Sequence, residues 1–540
     1  MADLDPWLAA TLLLPIAMLA ACGFARARAR IPDLLWLVPL PALFTAVVAP
    51  DGAELVLPAA RLGLGLSFRL DRVGAMLLGA AALLWLLAGV YARAGLRRTP
   101  GAAAFAIWWL LTMLGNLGVF LAHDMVTFYL FFTIASLAAY GLIVHDQSAP
   151  ARRAGRVYVA FTLISEAMLL AGFVLLAAAT PQHGIGIDEV VDALAQSPWR
   201  GTTMALLITA FALKIGLVPL HAWMPLAYSA APIAAASVLS GAAVKAGVIG
   251  LIRFLPFAAP PPHWGQALAA AGLVSAFYGV GAGLFRANPK TVLAYSSVSQ
   301  MGVLATVLGM GLMAANRHTA IIAAFYATHH VLVKGSLFLA LGIAASRGWR
   351  LWVVAALALG LAGLPLTGGA LAKAAIKLPL SDGAIGLIAD LSAVASAILM
   401  FHFLRCLVCA PDAEPAPPAT RLRRRAWLLL ALACVAVPAA LFPRLELMTW
   451  GEIFGPKPLW DAAWPILVGG LVTLARQSFY DRLPVRRAGA ELGVDHALLL
   501  ISRRFGDAVV AIDQHLRQWP TAALMFVGLV LVLAGALLMR

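Results

Sequence analysis

Five lysines, Lys214, Lys245, Lys334, Lys373 and Lys377, lie inside strongly apolar stretches of this 540-residue chain. A charge at the centre of a bilayer costs at least a few kcal/mol, so such residues are functional candidates by default. Lysine is the cation suited to proton handling, because a desolvated lysine can titrate near neutral pH and an arginine cannot. Only two acids, Glu166 in VAFTLISEAMLLAGF and Asp390 in IGLIADLSAVAS, lie well inside comparable stretches. Their expected role is as counter-ions, since a carboxylate within ~4–6 Å favours the charged lysine and a moving proton could switch the pair.

The surroundings of these residues strengthen the reading. Lys214 sits in ALLITAFALKIGLVPLHAWMP, where Pro219 and Pro225 remove backbone donors and should break the helix about a turn beyond the lysine, with His221 at the break. A broken helix at membrane depth is tolerated only where it is buried in protein or lines a cavity. Lys245 lies between Gly241 and Gly247, which permit close helix packing. His330 and Lys334 are four residues apart and share one helical face, with His329 adjacent, a row suited to a relay because histidine titrates near physiological pH. Lys373 and Lys377 form another such pair, with Pro365, Gly368 and Gly369 predicting a second break upstream and Pro379 an end. The stretches IGLVPL (215–220) and LAGLPL (361–366) mark an interrupted helix in each half, the pattern of a repeat-built transporter.

The elements that must hold these groups follow from composition. The chain is 62% hydrophobic and 12% charged, with a formal net charge of +15. That charged fraction is about half of what soluble domains carry, which excludes several water-soluble cores and excludes disorder. A bilayer core needs about 20 apolar residues per helix. Spans are predicted near 7–25, 32–50, 72–92, 102–122, 125–145, 157–179, 202–220, 231–252, 266–285, 291–315, 319–346, 351–379, 384–409, 427–443, 462–478 and 521–539. The fold class is all-α and polytopic, with about sixteen transmembrane helices. Expected regions are N-terminal helices (1–100), two helical units (101–255 and 256–410) and a C-terminal extension (411–540).

Arginines gather on alternate loops, at Arg26, Arg28 and Arg30, at Arg152, Arg153 and Arg156, and in the RLRRR run from Arg421. The positive-inside rule puts those loops in the cytoplasm and both termini outside. It also explains most of the positive charge without nucleic acid. The acidic start of MADLDPWLAATLLLPIAMLA reads as a retained span, not a cleaved signal. Cys406 and Cys409 form a lone CxxC with no second pair to complete a metal site, and Cys22 and Cys434 add no disulfide framework. Phe505, Val509, Ile512 and Leu516 are spaced for an amphipathic helix over 503–519, on the cytoplasmic surface or against a partner.

The motifs as a set resemble the antiporter-like, proton-translocating subunits of respiratory complex I, Mrp cation/proton antiporters and membrane-bound hydrogenases of the formate-hydrogenlyase type. The matching strings are LGLSFRLDRVGAMLL (63–77), DMVTFYLFF (124–132), FALKIGLVPLHAWMPLAYSAAP (211–232), SVLSGAAVKAGVIGLIRF (237–254), KTVLAYSSVSQMGVL (290–304), HHVLVKGSLFLALG (329–342) and GLPLTGGALAK (363–373). The resemblance implies a fourteen-helix core with two inverted five-helix repeats, broken helices seven and twelve, and a polar axis through Lys214, Lys245, His330, Lys334 and Lys373. In the family the first-half lysine pairs with a Glu on helix five that follows a Trp; Phe132 and Thr133 stand there in this chain. Glu166, one helix later, falls where some complex I members carry an Asp, and the resemblance makes it the substitute counter-charge.

The resulting expectation is a proton-translocating or cation/proton antiporter-like subunit, performing no chemistry itself and holding no cofactor or metal. Its expected partners are other membrane subunits in a bacterial-type inner membrane, with redox groups, if any, in other chains, and protons or Na+ as the ion. Two rivals stand beside it: an energising subunit of inorganic-carbon uptake working with a cytoplasmic zinc subunit, and a structural paralogue that no longer conducts.

Overall fold

The computed structural model describes residues 6–49, 51–59, 64–96, 101–181, 184–261, 263–343, 348–380, 384–409 and 420–482. The expected amphipathic helix at 503–519, the last span at 521–539 and the extreme N-terminus lie outside them. Eleven helices among the described residues are long and apolar enough to cross a membrane. Capping side chains set where several begin. Asp124 accepts from the Thr127 amide at 2.8 Å to start Met125–Ile143, and Asn288 from the Lys290 amide at 2.9 Å to start Pro289–Met313. Proline follows the cap residue in the latter, where its missing N–H costs nothing.

Burial ranks the spans. Ile233–Phe254 and Pro289–Met313 are entirely buried over their apolar windows and His318–Ala340 is 94% buried, against 17% for Pro456–Ala475. The first three are hydrophobic on all sides and form the centre of the bundle. They carry Lys245, Ser296, His330 and Lys334. One seam is unusually tight. A Cβ on Gly272 of Trp264–Leu284 would lie 2.6 Å from the Gly302 carbonyl oxygen of the neighbouring helix, so only glycine permits that approach.

Two expectations change. The span expected over 32–50 is not one helix: Ala25–Leu34 and Leu40–Val48 are separated by turns, with Pro39 capping the second and Pro41 in its first turn. Among the described residues of the predominantly helical chain there is also an antiparallel strand pair, Glu54–Ala59 with Leu64–Arg69, which pairs Leu55 with Phe68. Its second strand is held where Asp124 Oδ2 accepts from the Ser67 amide at 2.8 Å. Beyond it, Arg253, at the end of the Lys245 helix, pairs with Asp71 at 3.2 Å and donates to the carbonyls of Phe120 and Ala122.

Candidate functional site

Both expected helix breaks are present, and glycine ends the helix in each. Arg200–Ile215 stops one residue beyond Lys214, where Gly216 takes a left-handed conformation (φ 74°), and the chain resumes as Trp223–Ala230. Trp349–Ala362 stops at Gly363 (φ 104°) and resumes as Gly368–Leu380, which carries Lys373 and Lys377. The prolines expected to end the first helix lie beyond its end, and Pro379 lies inside the last turn of the second resumed helix. Backbone groups freed at the first break find side-chain partners, as burial at membrane depth requires. Trp223 Nε1 donates to the Leu213 carbonyl at 2.8 Å, and the Val218 amide donates to Ser275 Oγ at 2.9 Å.

Lys214 is buried, and its Nζ donates to Ser136 Oγ at 2.6 Å while lying 5.1 Å from the centre of the Phe132 ring. One turn earlier on the same helix, Thr133 Oγ1 donates to Glu166 Oε2 at 2.5 Å. The other oxygen, Glu166 Oε1, is buried with no hydrogen-bond partner among the described residues. Glu166 therefore does not pair with Lys214 directly; the hydroxyl-bearing face of Met125–Ile143 stands between them. Two cavities of about 10 Å³ flank Lys214, one lined by Ser136, Tyr158 and Thr162, the other by Tyr228, Leu239 and Val244. Each is about the size that admits one water. His221, at the break, is fully buried with its ring 4.8 Å from that of Tyr278.

At the centre, Lys245 Nζ lies 2.8 Å from His330 Nδ1, both fully buried. His330 Nε2 is buried without a partner among the described residues. The expected His330–Lys334 row is divided between neighbours: Lys334 turns to Pro289–Met313, donating to the Leu293 carbonyl at 2.8 Å and to Ser296 Oγ. His329 is buried beside the start of the Lys373 helix, its Cε1 3.2 Å from where a Cβ on Gly369 would lie. Lys373 lies against Gly363 at the second break. It lines a cavity of about 530 Å³ with Lys377, Asp390 and, from the C-terminal segment, Trp450 and Phe454. Lys377 and Asp390 form an ion pair at 3.1 Å. Of the two acids expected inside spans, the half-buried Asp390 is thus paired with a lysine directly and the buried Glu166 is not.

Several polar residues of the buried axis were not singled out from the sequence. Ser136 and Ser296 receive lysines, and Gln300 bridges two helices, accepting from Tyr326 and donating to Ser396 Oγ at 3.1 Å. Asn116 is fully buried in TMLGNLGVF. A lone amide inside an apolar run was the signal that could have found it, as was the serine-rich SSVSQ string.

A multi-pass helical membrane protein with two interrupted helices, each bringing a lysine to a buried polar axis, defines a class of transport-related subunit. The sequence profile described as NADH:quinone oxidoreductase/Mrp antiporter, TM, matches residues 122–351. NADH-quinone oxidoreductase subunit N of Cereibacter sphaeroides is 30% identical over 441 residues, covering 78% of this chain and 94% of that protein. Hydrogenase-4 component B of Escherichia coli is 27% identical over 296 residues, covering 52% of this chain and 44% of that protein. The chain thus spans less than half of that relative's length, and about half of a mycobacterial one's. The Mrp complex from Dietzia sp. shares the fold, with a TM-score of 0.71 at 22% identity over 99% of this chain and 63% of that one. The chain belongs to the antiporter-like membrane-subunit family of complex I, Mrp antiporters and related hydrogenases.

Proposed function

We propose that the chain translocates protons as one membrane subunit of a larger complex. The observation that carries this reading is the contact between Lys245 and His330, two groups able to exchange a proton, both fully buried at 2.8 Å in the centre of the bundle. Its flanks support it: a lysine stands at each helix break, Lys214 on one side and Lys373 on the other. In this reading a proton enters by Glu166, Thr133 and Ser136 to Lys214 and crosses by Lys245 and His330. It then passes Lys334 and His329 and leaves by Lys373 and the Lys377–Asp390 pair, with His221 lining the first break. Each charge moved gains or costs about 2.3 kcal/mol per 100 mV of membrane potential.

The two helical units, 101–255 and 256–410, then act as inverted repeats. The arginine-rich loops face the cytoplasm of a bacterial-type inner membrane and both termini face outward. Other membrane subunits are the partners, with redox or zinc-containing subunits attached on the cytoplasmic side where the complex has them.

The test is proton flux into liposomes holding the purified complex, wild type against Lys214→Ala, followed with a pH-sensitive dye. Wild-type flux well above that of the variant supports conduction. Equal, background-level flux with the complex fully assembled overturns it in favour of a non-conducting paralogue, the reading that the missing helix-five acid at Thr133 favours.

A further inference from the structure

The helix that carries Lys245 is not regular. Residues Leu239–Ala243 form a π turn in which the Val244 amide donates to the Leu239 carbonyl at 3.3 Å, five residues back. A π turn inserts one residue, and each residue advances an α-helix by about 100°, so everything after it is rotated by that amount. Lys245 is the first residue of the α-helical segment that follows. The turn therefore decides which way Lys245 points.

The turn is seated against the helix that supplies His330. A Cβ on Gly241 would lie 2.8 Å from the Val331 carbonyl oxygen and 2.4 Å from Leu84 Cδ2, so the two backbones meet directly at the residue after His330. One turn earlier, Ser237 Oγ donates to the Gly335 carbonyl at 3.1 Å and fixes the register between the helices. Two carbonyls of the π turn accept from side chains elsewhere. Tyr228 Oη donates to Leu239 at 3.3 Å, and Asn116 Nδ2 donates to Ala242 at 3.1 Å. Asn116 is itself oriented, because its Oδ1 accepts from Trp85 Nε1 at 3.0 Å. Trp85 and Asn116 stand on two different helices, Arg72–Leu96 and Ala102–Leu121, and both are fully buried.

We infer that Asn116, oriented by Trp85, is a positioning residue for the central proton contact: its amide holds the π turn and thereby aims Lys245 at His330. Among the described residues Asn116 hydrogen-bonds to neither partner of the contact, and it acts through the backbone of the turn. Without its donor the turn relaxes toward regular α-helix, which swings Lys245 by about 100° and opens the contact. The functional consequence rests on the proton-translocation reading; the geometric consequence does not.

The test separates the two by measuring each. The full chain, labelled with 15N at its 11 histidines, is studied in wild type, Asn116→Leu, Trp85→Phe and Lys245→Met, with the His330 signal assigned by its loss in His330→Gln. Asn116→Leu is expected to move the His330 Nδ1 resonance in the direction that Lys245→Met moves it. Trp85→Phe, which keeps an aromatic ring but removes the indole N–H, is expected to move it the same way by less, and it carries the test if Asn116→Leu does not fold. A His330 signal unchanged in the folded variants overturns the inference. In liposomes, flux is expected to fall about tenfold or more in Asn116→Leu. In the double variant Asn116→Leu/His330→Gln it should fall no further than in His330→Gln alone; a compounded loss overturns the positioning role. A moved resonance in a protein whose wild type carries no flux upholds the positioning and sinks the transport reading instead.

Discussion

Thr133 donates its hydroxyl to Glu166 Oε2 at 2.5 Å, from the helix Met125–Ile143 to the helix Ala149–Ala179. In the proposed reading this threonine, standing where the resemblance places an acid, instead holds a carboxylate on the next helix. Glu166 Oε1 has no partner among the described residues, so the carboxylate depends on this hydroxyl at Oε2. Thr133→Val keeps the shape and removes the donor. Proton flux is expected to fall about tenfold, the equivalent of roughly 1.4 kcal/mol, and Thr133→Ser to restore it. Glu166→Gln is expected to abolish coupled transport altogether. Wild-type flux in Glu166→Gln would sink the idea that this acid is the substitute counter-charge.

How far the sequence went depends on the kind of information each feature needs. The lysines were legible because charge inside an apolar run is costly wherever it occurs, and both helix breaks were legible because Gly and Pro act locally. The partners were not. His330 and Lys334 share a face by spacing, yet one turns to Lys245 and the other to Ser296 and the Leu293 carbonyl, because the choice lies with two different neighbouring helices. The strand pair at Glu54–Ala59 was missed for a similar reason, since its strand character comes from pairing with Leu64–Arg69. The π turn before Lys245 leaves no trace in a run such as VLSGAAVK, which reads as regular helix.

The glycine seam between Trp264–Leu284 and Pro289–Met313 gives a prediction about stability alone. At Gly272 an added methyl meets Thr306 Oγ1 at 2.5 Å and the Gly302 carbonyl at 2.6 Å, and neither backbone can yield without parting the helices. Gly272→Ala is expected to cost about 1–3 kcal/mol, as overpacking does. Gly281, on the same helix, has nothing within 4 Å of the same methyl. Gly281→Ala is therefore expected to leave stability unchanged or raise it by up to about 1 kcal/mol. Thermal unfolding of the two variants in detergent measures the difference; equal midpoints would contradict it.

His145 gives the prediction for pH. It lies just beyond the end of Met125–Ile143, its ring edge-on to Phe105 at 5.0 Å, and burial lowers its pKa from the usual 6.5, partly offset by Asp146. A lowered folded-state value means that the unfolded chain binds the proton more readily. The resulting contribution is present above about pH 6.5 and is lost as pH falls from there through the lowered value. The melting temperature is expected to decline over that window, and less steeply in His145→Asn. Identical slopes for the two proteins would refute the assignment.

Lys214 tests whether a charge at the first break is enough or whether its proton must leave. Lys214→Arg keeps the cation, supplies donors for Ser136 Oγ, and can still lie over the Phe132 ring, which suits a guanidinium. What it loses is the ability to deprotonate, since an arginine stays charged in proteins. The variant is expected to assemble with the complex at normal levels and to carry only background flux. Ser136→Ala, which retains the lysine and removes its hydroxyl partner, should give an intermediate value. Lys457→Arg, an exposed site in the C-terminal segment, is the control and should match wild type. If Lys214→Arg conducts as well as wild type, Lys214 serves only as a fixed charge and the proton takes another route past the break.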